Sequence, residues 1–196
     1  MSDIICVTNR KLCHENFLNR IEAIAQARPA ALILREKDLP EDEYRRLAAE
    51  VLGICRRYDL PCILHNFWPA AAELGAGAVH LPLPVLMRTE QKELARFAAV
   101  GASCHSVKEA VAAQEKGCTY ITAGHIFETG CKPGLEGRGL EFLRDVCQSV
   151  DIPVYAIGGI CAENINAVRE CGAAGACVMS GAMVCDDVRK YLGELR

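Results

Sequence analysis

The sequence lacks any apolar run of the roughly 20 residues that a membrane-spanning helix requires. It also lacks an excess of basic residues, since 22 lysines and arginines stand against 25 aspartates and glutamates, for a formal net charge of -3. Interspersed charges of both signs offer no electrostatic surface for nucleic acid. The first residues do not show the basic segment and apolar block of a signal peptide. We therefore expect a cytoplasmic protein with no membrane partner and no nucleic-acid partner.

Closely spaced cysteine pairs are absent too, although the chain contains 12 cysteines. No Cys-x-x-Cys sequence is present to begin a zinc site. Most of the cysteines lie in apolar stretches, where a free thiol packs as a small hydrophobic side chain. The sequence therefore predicts neither a metal site nor a disulfide framework.

Short apolar runs are present instead, and they alternate with segments of helical periodicity. The predicted strands are 3–8, 30–35, 61–65, 78–81, 99–104, 119–124, 153–158 and 175–180. They are continuously apolar, as in parallel strands covered on both faces. Eight βα units predict an α/β fold, a single-domain (β/α)8 TIM barrel of minimal size over residues 1–196, with only about 25 residues per unit. The alternative is an open doubly wound sheet, but the Gly-x-Gly-x-x-Gly turn typical of that fold is missing after the first strand.

Two glycine-containing loops follow strands seven and eight of the predicted barrel, where such folds often bind phosphate. They contain Gly158-Gly159 and Met179-Ser180-Gly181. Backbone N–H groups that no side chain shields can converge there on an anion, and a serine hydroxyl can add a donor. Two tight turns without a ligand are the alternative. On the phosphate interpretation, a bulky residue at Gly159 should weaken binding and leave the fold largely intact.

Charged and polar residues follow strands two and six. Arg35 and Lys37 come after strand two, where they either meet an anionic substrate or form a solvated charge run. His125 directly follows strand six, and an imidazole with an unperturbed pKa of about 6.5 is suited to proton transfer at neutral pH. A hydrogen-bonded structural histidine is the alternative. His80, within an apolar strand, is predicted to be a core histidine whose nitrogens are hydrogen-bonded.

Over essentially its whole length the chain resembles the thiamine-phosphate synthase superfamily of phosphate-binding barrels. The matching segments are Leu34-Arg-Glu-Lys37, Gly77-Ala-Val-His-Leu81, Gly124-His-Ile-Phe-Glu-Thr-Gly-Cys-Lys132 and Pro153-Val-Tyr-Ala-Ile-Gly-Gly-Ile160. The synthase branch implies a magnesium-bound pyrimidine pyrophosphate held by carboxylates. At the positions that this resemblance assigns to its characteristic residues, this chain has Ile33, His65-Asn66 and 82–85. No carboxylate stands among them, although magnesium prefers oxygen ligands.

The segment 124–139 resembles the signature of the other branch, the TenI-type thiazole tautomerases, in which the histidine is the catalytic base. That resemblance implies an isomerase of thiamine biosynthesis that needs no metal and no other cofactor. It would aromatise a carboxylated dihydrothiazole phosphate to carboxythiazole phosphate, with His125 as the catalytic residue. The alternatives are a thiamine-phosphate synthase and a non-catalytic regulator that binds a thiazole phosphate.

The predicted substrate is therefore a small thiazole phosphate carboxylate. The candidate substrate-binding residues are Arg35, Lys37, Ser103, Thr129, Lys132, Gly158, Gly159, Met179, Ser180 and Gly181. Lys132 and Arg35 are equal candidates for the substrate carboxylate. The oligomeric state stays open, with a homodimer among the options.

Overall fold

The computed structural model describes residues 3–130 and 134–196. Eight parallel strands pair in chain order and close into a barrel, which confirms the predicted fold class and excludes the open sheet. The strands are β1 (Ile4–Val7), β2 (Ala31–Leu34), β3 (Cys62–His65), β4 (Ala78–Pro82), β5 (Ala99–Cys104), β6 (Tyr120–Gly124), β7 (Val154–Ile157) and β8 (Gly175–Val178).

Helices occupy most of the connections between these strands. Within the described residues they are α1 (Phe17–Ala27), α2 (Glu41–Arg57), α3 (Trp68–Glu73), α4 (Leu83–Arg88), α5 (Gln91–Leu94), α6 (Val107–Glu115), α7 (Gly139–Ser149), α8 (Ile165–Glu170), α9 (Ser180–Val184) and α10 (Val188–Glu194), with a 3-10 turn at Arg10–Leu12. None of the helices in this part of the chain combines the length and the apolar character needed to cross a membrane.

The chain forms two compact units. We call Met1–Val79 together with Val178–Arg196 the terminal unit, and His80–Cys177 the central unit. The terminal unit contains β1, β2 and β3, and the central unit contains β5, β6 and β7. The expectation of a single domain over residues 1–196 stays a prediction.

Burial explains why the strands are continuously apolar. Every residue of β1, β2, β6 and β8 is buried, as expected where both faces of a parallel sheet are covered. The register of the strand pairs places the C-terminal ends of neighbouring strands side by side. Gly124 at the end of β6, for example, lies opposite Ile157 at the end of β7. Side chains that follow the strands are thereby gathered at one edge of the sheet.

A single hydroxyl ties α2 to two strand ends in the terminal unit. Tyr44 is fully buried, and its Oη donates a hydrogen bond to the carbonyl oxygen of Leu34 at 2.7 Å. The same oxygen accepts a hydrogen bond from the backbone N–H of His65 at 2.8 Å. Burial raises the pKa of Tyr44 above its ordinary value, so the hydroxyl keeps the proton that it donates.

We expect Tyr44→Phe to lower the free energy of unfolding by about 1–3 kcal/mol, because it removes the hydroxyl that bonds to a buried carbonyl and to a buried N–H. Urea denaturation measures this loss. Tyr58→Phe is the matched control, since the Tyr58 hydroxyl bonds to Glu22 in a partly exposed position. Equal losses in the two variants would contradict the bridging role of Tyr44.

Candidate active site at the strand ends

A buried carboxylate organises the ends of β1 and β2 in the terminal unit. Glu36 is only 2% exposed, and its Oε1 accepts a hydrogen bond from the Thr8 hydroxyl at 2.7 Å. The backbone N–H of Arg10 lies 3.0 Å from each of its oxygens, and Arg10 Nη1 donates to Oε2 at 3.2 Å. The solvated charge run, which the sequence left open as an alternative for 34–37, is wrong for Glu36, because this residue is buried.

Thr8 connects the Glu36 carboxylate to the backbone of Arg35, the residue before Glu36. Its Oγ1 donates to Glu36 and accepts a hydrogen bond from the backbone N–H of Arg35 at 2.9 Å. The backbone at Arg35 is therefore fixed to the end of β1. Sequence reasoning identified Arg35 and Lys37 but missed Thr8 and Glu36, because no local pattern shows that a hydroxyl and a carboxylate 28 positions apart will meet.

An exposed ion pair continues this arrangement. Arg10 Nη1 and Nη2 donate to the two carboxylate oxygens of Asp38 at 2.6 and 2.8 Å. Lys11 Nζ lies 3.1 Å from the same carboxylate. The Arg10 hydrogen bonds, with a smaller contribution from Lys11, hold the pKa of Asp38 well below its usual range. Asp38 therefore stays charged at neutral pH. The Arg10 guanidinium is hydrogen-bonded to the carboxylates of both Glu36 and Asp38.

His125 follows β6 in the central unit and is 7% exposed. Its Nε2 lies 3.3 Å from the carbonyl oxygen of Leu135, and a carbonyl only accepts, so Nε2 carries the proton. Its own carbonyl accepts a hydrogen bond from the backbone N–H of Arg138 at 2.9 Å. His125 thus bonds to Leu135 and Arg138, where the loop after β6 leads into α7.

The same loop is attached to the end of β7. The backbone N–H of Ile126 donates to Ile157, and that of Phe127 donates to Gly158, at 2.9 and 3.0 Å. Thr129 lies half-buried further along the loop. Lys132, the other predicted binding residue of this loop, lies outside the described residues. Its assignment stays a prediction.

Close packing requires the two glycines after β7. Gly158 and Gly159 have φ values of +102° and +68°, a region that favours glycine. A Cβ on Gly158 would collide with the His125 side chain, and one on Gly159 would lie 2.5 Å from the Glu128 carbonyl oxygen. The expectation that a bulky residue at Gly159 leaves the fold intact is therefore wrong, because the loop after β6 occupies that space.

The remaining predicted residues lie on β5 and after β8. Ser103 is the penultimate residue of β5 and bonds to His80 in the central unit, at 2.9 Å. In the terminal unit α9 begins at Ser180, which is exposed, and Met179 before it is half-buried. A Cβ on Gly181 would collide with the Tyr191 ring. A shared phosphate site of the two glycine loops stays a prediction.

Comparison with known proteins identifies one family. The family described as thiamine monophosphate synthase matches residues 4–182. Thiamine-phosphate synthase of Pyrococcus furiosus is 33% identical over 190 residues, which cover 97% of this chain and 91% of that protein. The enzyme of the same name from Clostridium acetobutylicum is 32% identical over 185 residues, 93% of this chain and 88% of that one. The structure titled thiamine phosphate pyrophosphorylase from Pyrococcus furiosus superposes with a TM-score of 0.83 at 31% identity, covering 98% and 93% of the two chains.

These comparisons correct the activity predicted from the sequence. The prediction of a thiazole tautomerase, an isomerase, is wrong, because relatives that are 32–33% identical over more than nine-tenths of this chain are named as synthases. The role of His125 as the base of the tautomerase reaction falls with that reaction, whereas its assignment as a catalytic residue stays a prediction. The placing of His125 at the substrate site stays a prediction.

We expect Gly159→Ala to lower the free energy of unfolding by about 1–3 kcal/mol, because it combines a positive φ with a steric clash. Gly130→Ala is the control in the same loop system, since a Cβ there meets nothing within 4 Å. Urea denaturation compares the two variants. A Gly159→Ala protein as stable as Gly130→Ala would show that the loop after β6 can move away from β7.

Proposed function

This chain belongs to the thiamine monophosphate synthase family, and we propose that it joins a pyrimidine pyrophosphate to a thiazole phosphate to form thiamine phosphate. As a member of that family it is an enzyme of thiamine biosynthesis. The proposal depends on one observation above all, namely identity of about one third to named synthases along almost the entire chain. A likeness of this extent covers every strand end rather than one loop.

The proposed reaction is a substitution at carbon. The thiazole ring nitrogen forms a bond to the methylene carbon attached to the pyrimidine ring. The bond from that carbon to the pyrophosphate oxygen breaks, and its electron pair leaves with the pyrophosphate. No atom is oxidised or reduced. The protein has to hold two phosphorylated molecules and stabilise the negative charge that develops on the leaving group.

Arg35 and Lys37 are the residues that we assign to the leaving pyrophosphate. They follow β2 directly, at the end of the strands where barrel enzymes bind their substrates. A guanidinium can donate two parallel hydrogen bonds to phosphate oxygens, and an ammonium adds a mobile positive charge. The Thr8 hydroxyl accepts a hydrogen bond from the backbone N–H of Arg35 and so fixes the backbone from which the guanidinium side chain extends.

The Gly158-Gly159 turn is our candidate for the phosphate of the thiazole substrate. Positive φ values at both glycines turn the backbone between β7 and α8, so that unshielded N–H groups can approach an anion. The loop after β6 that packs on this turn contains Thr129, whose hydroxyl is an additional candidate donor.

The residues after β3 and β4 do not fit the magnesium ion that the synthase branch implies. Asn66 offers only an amide oxygen, and α4 begins immediately after β4 with Leu83 and Pro84. Within residues 3–130 and 134–196, no three histidine, cysteine or acidic side chains form a group that could hold a metal. The proposed reaction therefore depends on the cations of the chain itself.

A protein that binds a thiazole phosphate without transferring the pyrimidine is the second candidate. The lack of fitting magnesium ligands after β3 and β4 favours it, because the leaving pyrophosphate then has fewer positive charges to stabilise it. Binding of a thiazole phosphate without any turnover, with or without added magnesium, would distinguish this candidate from the synthase.

The test is to supply both substrates to the purified protein, with and without magnesium, and to measure thiamine phosphate and pyrophosphate. We expect the two products in equal amounts. Arg35→Ala should lower kcat/KM about 10- to 100-fold, the effect of losing hydrogen bonds to a charged group. Arg46→Ala, an exposed arginine on α2, is the control and should not change it. No thiamine phosphate from the wild type under either condition would refute the proposal.

A further inference from the structure

A chain of hydrogen-bonded polar side chains in the central unit joins residues of β4, β5 and β6. His80 on β4 is 3% exposed, and its Nδ1 lies 3.0 Å from the hydroxyl oxygen of Tyr120, the first residue of β6. Its Nε2 lies 2.9 Å from Oγ of Ser103 on β5. The prediction of a core histidine with hydrogen-bonded nitrogens is confirmed. The chain also leads from a buried tyrosine to a half-buried serine near the end of a strand.

The register shows the direction in which this chain runs. Tyr120 pairs with Gly101, and Thr122 pairs with Ser103, two residues further along both strands. The side chains of residues two positions apart point to the same face of a strand. The order Tyr120, His80, Ser103 therefore advances toward the C-terminal ends of the strands, where barrel enzymes bind their substrates.

Space for this arrangement comes from a glycine. A Cβ on Gly101 would collide with the ring of Tyr120, so no other residue allows the ring to lie across β5. The ring also meets Tyr155 on β7 edge to face, with centroids 6.0 Å apart. Tyr120 is thus confined on two sides with its hydroxyl directed to His80.

The proton of the Tyr120 hydroxyl favours one of the two tautomers of His80. Burial raises the pKa of Tyr120 well above its ordinary value, so its hydroxyl keeps its proton at neutral pH. When that hydroxyl donates to Nδ1, a neutral imidazole carries its proton on Nε2. Nε2 then donates to Ser103, with Thr122 Oγ1 at a longer 3.4 Å from the same nitrogen. A Ser103 oxygen that accepts this bond retains its own O–H for a ligand.

We propose that His80 is a positioning residue that holds the Ser103 hydroxyl as a hydrogen-bond donor to a substrate phosphate, with Tyr120 selecting the imidazole tautomer. The inference builds on the proposed function, which supplies the phosphorylated substrates. His80 itself does not touch them. In the opposite tautomer Ser103 would donate to His80 and present only lone pairs, which repel an anion.

Variants at His80 separate this role from simple packing. In His80→Gln the amide nitrogen can replace Nε2 and still donate to Ser103. In His80→Asn the shorter side chain can reach Tyr120 but not Ser103. Ser103→Ala removes the donor, and Tyr120→Phe removes the group that selects the tautomer. Val146→Ala, which shortens a fully buried side chain of α7, is the control for a loss of stability alone.

The experiment is calorimetric titration of each variant with inorganic pyrophosphate and, separately, with a thiazole monophosphate, which shows which phosphate Ser103 binds. Urea denaturation verifies that each variant is folded. We expect Ser103→Ala and His80→Asn each to weaken affinity for the same ligand about 10- to 100-fold. His80→Gln should retain most of the affinity, Tyr120→Phe should fall between them, and Val146→Ala should bind as the wild type does. The double variant His80→Asn/Ser103→Ala should bind no more weakly than Ser103→Ala alone.

Wild-type affinity in Ser103→Ala or in folded His80→Asn would overturn the inference. Equal weakening of His80→Asn, His80→Gln and Val146→Ala would also overturn it, because that pattern follows stability rather than hydrogen bonding. A wild-type protein that makes no thiamine phosphate but shows the expected affinities would refute the proposed function and leave the role of His80 standing.

Discussion

Burial of the strands on both faces is the constraint on which the rest of this structure depends. Every residue of four strands is buried, and the other four strands combine buried with half-buried residues. An unpaired polar group in such surroundings costs about 1–3 kcal/mol or more. Polar side chains are therefore admitted only where a partner is available. This requirement explains why those that occur are joined in small hydrogen-bonded sets and why most functional candidates follow the strand ends.

Two of these sets illustrate the same rule with different chemistry. In the terminal unit the buried Glu36 carboxylate accepts hydrogen bonds from Thr8 and Arg10, and so fixes the loop that contains Arg35. In the central unit His80 connects Tyr120 to Ser103. Each set has one member that is nearly inaccessible and one that leads to a candidate binding residue. Buried hydrogen bonds thus stabilise the fold and also orient the groups that a substrate would meet.

The tautomerase prediction shows how a local motif can mislead. The segment that begins at Gly124 determined that prediction. In the structure its residues hold the loop after β6 in place. His125 holds Leu135, and Phe127 and Glu128 pack against Gly159. Similarity to synthases extends instead over residues 4–182, through every strand. A motif that forms a loop can be retained for packing, so its presence alone does not determine the reaction.

The sequence by itself determined the barrel, because parallel strands that are buried on both faces appear in the sequence as short apolar runs between segments of helical periodicity. It also located candidate residues such as Arg35 and His125, since the C-terminal end of a strand can be read from where an apolar run stops. Only the tertiary structure showed that Glu36 is buried, that Gly159 has no room for a side chain, and that His80 bonds to Ser103. Those facts depend on contacts between residues far apart in the chain, and hydrophobic periodicity contains no information about which polar atoms will meet.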